Sequence, residues 1–193
     1  MLILLPPSEG KTQRRRGQAL ALTGLSFPTL TKLRAEVIEA LAAVSATPAA
    51  PAILGVSPNL TDEIARNTRL TTAPTAPAGE VYSGVLYDAL DLACLDAAAK
   101  RRATRRVVVQ SALFGAVRLT DRIPAYRLSM AVNLPGVGPL ASVWRRPVSE
   151  ELAVAAGTGV IVDCRSSTYA AVFTPTGPLA DRWVQIHVPG ATH

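Results

Sequence analysis

DAAAKRRATRRVVVQS, residues 96–111, is the stretch that decides the fold. Asp96 to Arg106 combines helix-forming alanines with Lys100, Arg101, Arg102, Arg105 and Arg106, which predicts a solvated helix. At Val107-Val108-Val109 the chemistry reverses. Three β-branched residues without polar alternation predict a strand covered on both faces, as strands of a parallel sheet are. A helix feeding such a strand is the repeating unit of α/β proteins. Working outward, Leu2 to Leu5 stops at Pro6-Pro7 and reads as a buried first strand, because two prolines forbid helical continuation. Thr31 to Val44 sets Leu33, Val37, Leu41 and Val44 at helical spacing, with Thr31 as the cap. Thr61-Asp62-Glu63 opens a short helix, and residues 71–79 (TTAPTAPAG) form a Pro-rich loop. Gly79 to Leu95 suits one or two helices. Ser149 to Ala156 is a helix capped by Ser149, Val160-Ile161-Val162 a buried strand, and Arg182 to Val188 an alternating edge strand. The expected fold is α/β, with a mixed, mainly parallel central sheet flanked by helices.

The chain has 193 residues, enough for one compact domain over 1–193 with a sizeable core. Its 49% hydrophobic and 18% charged composition excludes disordered, collagen-like and coiled-coil classes. A net charge of +6 favours phosphate-bearing partners or acidic surfaces. Cys94 and Cys164 are the only cysteines, and nothing calls for a disulfide. The opening MLILLPP is too short for a signal peptide, and no apolar run reaches a membrane span, so a cytoplasmic protein without a membrane partner is expected. His187 and His193 are the only histidines. No metal-ligand spacing exists, and no cofactor or metal is expected.

Three loops after strands carry the chemistry. Ser8-Glu9-Gly10-Lys11-Thr12 ends like a nucleotide-binding loop, but Leu5 stands where its first glycine must be, which excludes an ATPase loop. Two readings remain: a lysine and hydroxyls that hold one phosphate or carboxylate at a strand end, or a surface turn with a solvated lysine. Arg118, Asp121, Arg122, Tyr126 and Arg127 surround Pro124 after the second strand. They are anion forks steered by Asp121, or equally a network that pins an irregular loop. Asp163-Cys164-Arg165-Ser166-Ser167-Thr168-Tyr169 follows the third strand; Ser166 and Ser167 are placed to cap a helix toward an anion. Cys164 reads as an inert buried thiol rather than a nucleophile paired with His187. If these ends share one edge of a parallel sheet, they build one mostly basic cleft. Lys11, Arg118 and Arg127 would hold a small phosphorylated or nucleobase-containing ligand there. Glu9 or Asp163 would serve as acid–base group, or Lys11 itself as a Schiff-base amine.

LPGVGPLA, residues 134–141, resembles the hairpin of helix-hairpin-helix DNA-binding modules. Gly136 and Gly138 permit a tight turn whose N–H groups donate to a phosphate at a helix start. Arg145 and Arg146 add charge that is indifferent to sequence. Pro139 lacks an N–H and is expected at the first helical position. The element is placed at about 126–146.

MLILLPPSEGKT (1–12), Tyr82-Ser83-Gly84, SALFGAVRLTDRIPAYRLSM (111–130), Trp144 and the 163–169 segment together resemble the YaaA family of peroxide-stress-resistance proteins. The resemblance implies an α/β body with a positively charged cleft and an embedded helix-hairpin-helix-like element. It also implies duplex DNA binding of low sequence specificity and a role in limiting free iron and oxidative DNA damage. The phosphate contacts that the residues themselves suggest for such binding are Lys11, Thr12, Arg14, Arg118, Arg127, Gly136, Gly138, Arg145 and Arg146. Ser8, Tyr82, Ser83, Asp121, Tyr126, Ser166, Ser167 and Tyr169 would line the cleft. Family members usually continue past the last strand with a basic, aromatic-containing segment, and Phe114-Gly115-Ala116 stands where they often carry Tyr-Gly-Leu.

Overall fold

The computed structural model describes residues 1–186. From the amino end run β1 (Leu2–Leu5), α1 (Thr31–Ser45), α2 (Ala50–Leu54) and α3 (Thr61–Arg66). Next come β2 (Ala76–Pro77), α4 (Ala78–Val81), α5 (Val85–Leu90), α6 (Ala97–Arg106) and β3 (Val107–Ser111). β4 (Gly115–Arg118), β5 (Arg122–Ile123), β6 (Asn133–Leu134), β7 (Gly138–Pro139) and α7 (Leu140–Ala156) follow. β8 (Ile161–Asp163), α8 (Ser167–Ala170) and β9 (Trp183–Gln185) complete the described chain.

The central sheet has five strands in the order β4-β3-β1-β8-β9. Ile3 pairs with Val107 and Leu4 with Asp163 in parallel ladders, so β1 lies in the middle. All five residues of β3 are buried, the double covering that the valine run predicts. β4 alone runs antiparallel, turning back through Ala112–Phe114 so that Arg118 faces Val108. Gly115 makes that turn at φ +73°, where a side chain would be strained and its Cβ would sit 2.8 Å from the Trp144 ring. Trp144 is fully buried and donates from Nε1 to the Ala112 carbonyl at 2.8 Å, which anchors α7 on this turn.

Asp96 accepts from the Ala99 amide and caps α6, as its position before the alanine run favours. Three sequence expectations shift. α1 starts at Thr31 with Leu30 in the cap position, so the Thr31 side chain does not cap. α7 begins at Leu140, which places Pro139 in the cap position and Ser149 in the helix interior. It runs through Pro147 because Leu140, Trp144, Val148, Leu152 and Ala156 recur every fourth residue and are all buried; that stripe outweighs one lost hydrogen bond. The 71–79 loop is partly built into the body: Thr75 and Ala76 are buried, and Ala76 pairs with Ile123. The predicted edge strand is observed over Trp183–Gln185; its His187 end lies outside the described residues. Among the described residues, no helix is long and apolar enough to cross a membrane.

Candidate functional site

The loop after β1 closes on itself around Lys11. Ser8 Oγ donates to the Gly10 carbonyl and accepts from the Ser83 amide at 3.0 Å. Lys11 forms an isolated antiparallel bridge with Tyr82, and the Thr12 amide donates to the Val81 carbonyl at 2.8 Å. The Tyr82-Ser83-Gly84 segment therefore fixes the lysine loop. Lys11 Nζ donates to the carbonyls of Ser8 at 2.7 Å and Glu9 at 3.2 Å. In a phosphate-binding loop backbone N–H groups face the ligand; here carbonyl oxygens face the amine. The backbone thus opposes the reading of this loop as a single-phosphate cradle.

Beneath Lys11 lies a network of tyrosines. Nζ is 4.3 Å from the centre of the Tyr126 ring and 5.7 Å from that of Tyr82. Tyr126 Oη bonds Tyr82 Oη at 3.0 Å and Ser111 Oγ at 2.8 Å, and Ser111 accepts the Phe114 amide. Tyr87 stacks on Tyr82 and donates to the Pro6 carbonyl at 2.7 Å. Burial raises the phenol pKa values of Tyr82, Tyr87, Tyr126 and Tyr169, so these groups stay neutral. Burial is also the main cause that brings the Lys11 amine down to about 7, helped by Arg127 and opposed by Glu63 and Glu9.

Arg127 stands beside this amine. Its backbone is clamped by Asn67, whose buried side chain accepts the Arg127 amide at 2.9 Å and donates to its carbonyl at 2.9 Å. Its guanidinium lies 3.3 Å from Glu9 and 3.4 Å from Glu63. A cavity of about 190 Å³ opens here, lined among others by Ser8, Glu9, Lys11, Arg127, Ser129 and Tyr169. One guanidinium, two carboxylates and an amine near neutrality do not make a strongly basic cleft, which corrects the expected local electrostatics.

The structure brings Ser8, Glu9, Lys11, Tyr82, Ser83, Tyr126, Arg127 and Tyr169 together and separates the rest. Arg118 ends the antiparallel β4, at the opposite end of the sheet from Lys11; it donates to the Arg105 carbonyl and covers the Phe27 ring. Asp121 is buried and accepts from Ser26 and from the Arg118 amide, so it pins a loop and steers no anion fork. Asp163 is also consumed structurally. Arg165 pairs with it at 2.6 Å, Trp183 Nε1 donates to it at 3.0 Å, and both members of the pair are buried. A carboxylate so occupied does not serve as a general base. Ser166 precedes the four-residue α8 without a side-chain cap, and Ser167 is exposed. Burial and Asp163 raise the Cys164 thiol, consistent with an inert cysteine; the partner considered for it, His187, lies outside the described residues. Thr12 and Arg14 line a second, larger cleft of about 670 Å³, where Arg14 pairs with Glu80. Among the described residues, no group of three or more His, Cys, Asp or Glu side chains is gathered to hold a metal ion.

The 134–141 motif forms a hairpin, as read. Asn133 pairs with Pro139 and Leu134 with Gly138, while Gly136 and Gly138 take φ +82° and +107°. Gly136 is exposed, and so are Arg145 and Arg146 on α7, the latter 2.9 Å from Glu150. Only the second helix of the expected element exists. Residues 124–132 form no helix: Asn67 holds Arg127 as a strand neighbour would, Tyr126, Leu128, Met130, Val132 and Leu134 bury every second side chain, and a turn closes from Ser129 to Val132.

An α/β body with a lysine loop at the carboxyl end of its central strand is thus the class of protein in hand. The sequence profile of the family described as "Peroxide stress protein YaaA" matches residues 1–190, and the chain belongs to that family. It is similar to UPF0246 protein SCO2297 of Streptomyces coelicolor, 53% identical over 190 residues, covering 97% of this chain and 73% of the relative. It is also similar to UPF0246 protein CE1889 of Corynebacterium efficiens, 46% identical over 173 residues, covering 88% and 68%. A third relative, UPF0246 protein TM1040_2658 of Ruegeria, is 34% identical over 103 residues, covering 51% and 41%.

Proposed function

We propose that this member of the peroxide-stress family binds duplex DNA through its phosphates, with little sequence preference, in the cytoplasm. By shielding DNA it would help limit oxidative damage, and in this reading any effect on free iron is indirect. One observation carries the DNA reading: the hairpin of Asn133–Pro139. Its positive-φ glycines lead directly into the seventeen-residue α7, whose Arg145 and Arg146 are exposed. A helix start carries partial positive charge; here Leu140 spends its N–H on the Val132 carbonyl, and two flexible arginines add counterion-releasing contacts. The exposed Arg14-Arg15-Arg16 run adds to the same non-specific attraction.

The test is a salt titration of duplex binding, with single-stranded DNA and free nucleotides as competitors. Affinity for duplex should fall steeply with salt. Arg145→Ala/Arg146→Ala should lower the slope of log affinity against log salt by about 2, one for each lost contact. Duplex binding that is absent, or that is unchanged in the double variant, overturns the proposal.

A further inference from the structure

We propose that Lys11 is a covalent capture site, whose amine condenses with the aldehyde of an open-chain sugar to form a Schiff base. The source of that sugar in DNA rests on the duplex-binding reading; the chemistry of the site does not.

Lys11 is one of three lysines in a chain with seventeen arginines. Lys32 and Lys100 are exposed on the surface, while Lys11 reaches into a cavity. Arginine supplies charge as well as lysine does, but it does not lose its proton and cannot act as an amine nucleophile. Among the described residues no carboxylate lies within ion-pair distance of Lys11 Nζ, although Glu9 and Glu63 pair with the adjacent Arg127. The two hydrogens of a neutral amine are taken by the Ser8 and Glu9 carbonyls, which leaves its lone pair uncommitted. The lowered pKa of the buried amine, about 7, makes that neutral form available at physiological pH.

The cavity decides the class of ligand. At about 190 Å³ it is below the range of drug-sized sites and suits a small sugar rather than a nucleotide. Its walls carry the hydroxyls of Ser129 and Tyr169, the Arg127 fork and the Glu9 carboxylate, a set suited to sugar hydroxyls. α2 packs against β6 of the hairpin and supplies Leu54 to the cavity wall, so the two sites share one element.

The reaction balances without a co-reactant. The Lys11 lone pair bonds to the aldehyde carbon, the carbonyl π pair moves to oxygen, and a proton shed by the nitrogen passes to that oxygen. The resulting carbinolamine loses its hydroxyl as water after a second proton arrives, leaving a protonated imine. Glu9, Glu63, Arg127 and the neutral tyrosines 82, 126 and 169 are the titratable groups around the amine, and the two glutamates can relay these protons through water.

The closing experiment uses the full chain and two probes: a duplex oligonucleotide with a single abasic site, and free 2-deoxyribose 5-phosphate. Sodium cyanoborohydride reduces any imine to a stable secondary amine, and peptide mapping by mass spectrometry locates it. The expected adduct sits on Lys11, with a preference over the exposed Lys32 and Lys100 on the order of a hundredfold at neutral pH, because Lys11 is held in a cavity with its amine brought down to about 7. Lys11→Arg and Lys11→Ala should remove it. Mapping of the unsubstituted chain decides the matter even if those variants fold poorly. Labelling spread evenly over the three lysines, or no adduct with either probe, overturns the proposal. Duplex retention without reductant is measured in parallel. Retention without any adduct overturns capture and leaves the DNA reading standing; capture of the free sugar without retention supports capture and overturns the DNA reading.

Discussion

Replacing Lys11 with methionine tests the electrostatics of the loop directly. The change keeps an unbranched apolar stem and removes the titrating amine. In the unfolded chain the amine titrates near its ordinary value of about 10.4. In the fold, burial brings it to about 7. Between those values the unfolded state binds the proton and the folded state does not. Stability from this group therefore rises with pH across the window and is flat below it. Each pH unit is worth about 1.4 kcal/mol, so the interval from 7.5 to 9.0 should contribute about 2 kcal/mol. The Tyr126 face favours the ammonium form and reduces the figure somewhat. The assay is urea unfolding of both proteins at pH 6.0, 7.5 and 9.0. The tyrosines and cysteines, including those that titrate only when unfolded, are common to both proteins and cancel in the difference. The unsubstituted protein should gain about 2 kcal/mol on Lys11→Met between pH 7.5 and 9.0, and less than about 1 kcal/mol between 6.0 and 7.5. A difference independent of pH would refute the claim that the fold deprotonates Lys11. A difference of opposite sign would show an amine stabilised as ammonium by its carboxylate neighbours.

The remaining predictions concern the scaffold. Asp163→Asn strands the buried Arg165 guanidinium and should cost about 3–5 kcal/mol in chemical denaturation; a loss below 1 kcal/mol would mean the pair is dispensable. Asn67→Ala removes both hydrogen bonds that hold the Arg127 backbone and should cost about 2 kcal/mol, with amide hydrogen exchange speeding up over residues 126–128. Gly115→Ala puts a Cβ against Trp144 at a left-handed position and should lower stability by at least about 2 kcal/mol, with a changed Trp fluorescence spectrum.

How much of this was legible in the sequence depended on whether the deciding forces were local. The valine run at 107–109 and the Leu2–Leu5 run announce buried parallel strands because doubly covered strands need no polar alternation, and both are where they were expected. β4 escaped, because an antiparallel return strand depends on Gly115 accommodating Trp144, twenty-nine residues away. The first half of the hairpin element departs from a helix for a different reason. Tyr126, Leu128, Met130, Val132 and Leu134 recur at period two, a strand-like signal, although the turn that follows them resembles a DNA-binding motif.

At the site, the lysine loop was found because a strand end in an α/β sheet is where such loops act. Arg118 departs from its expected place because the sequence reads it as a loop residue just past β3, whereas it ends the return strand β4; that one reversal sends its guanidinium to the other end of the sheet. Asp163 is no free acid–base group because Arg165, two residues on, folds back to pair with it, a contact that adjacency in sequence does not disclose. Most telling is Lys11 itself. Its type and position could be read, but not its state, since the Ser8 and Glu9 carbonyls, the Tyr126 ring and Arg127 meet it only in the folded chain. A lysine read as a solvated cation or an anion holder becomes an amine near neutrality through the company the fold gives it. That change of state is what opens the carbonyl chemistry proposed for Lys11, and it leaves phosphate recognition, in the proposed function, to the hairpin and α7.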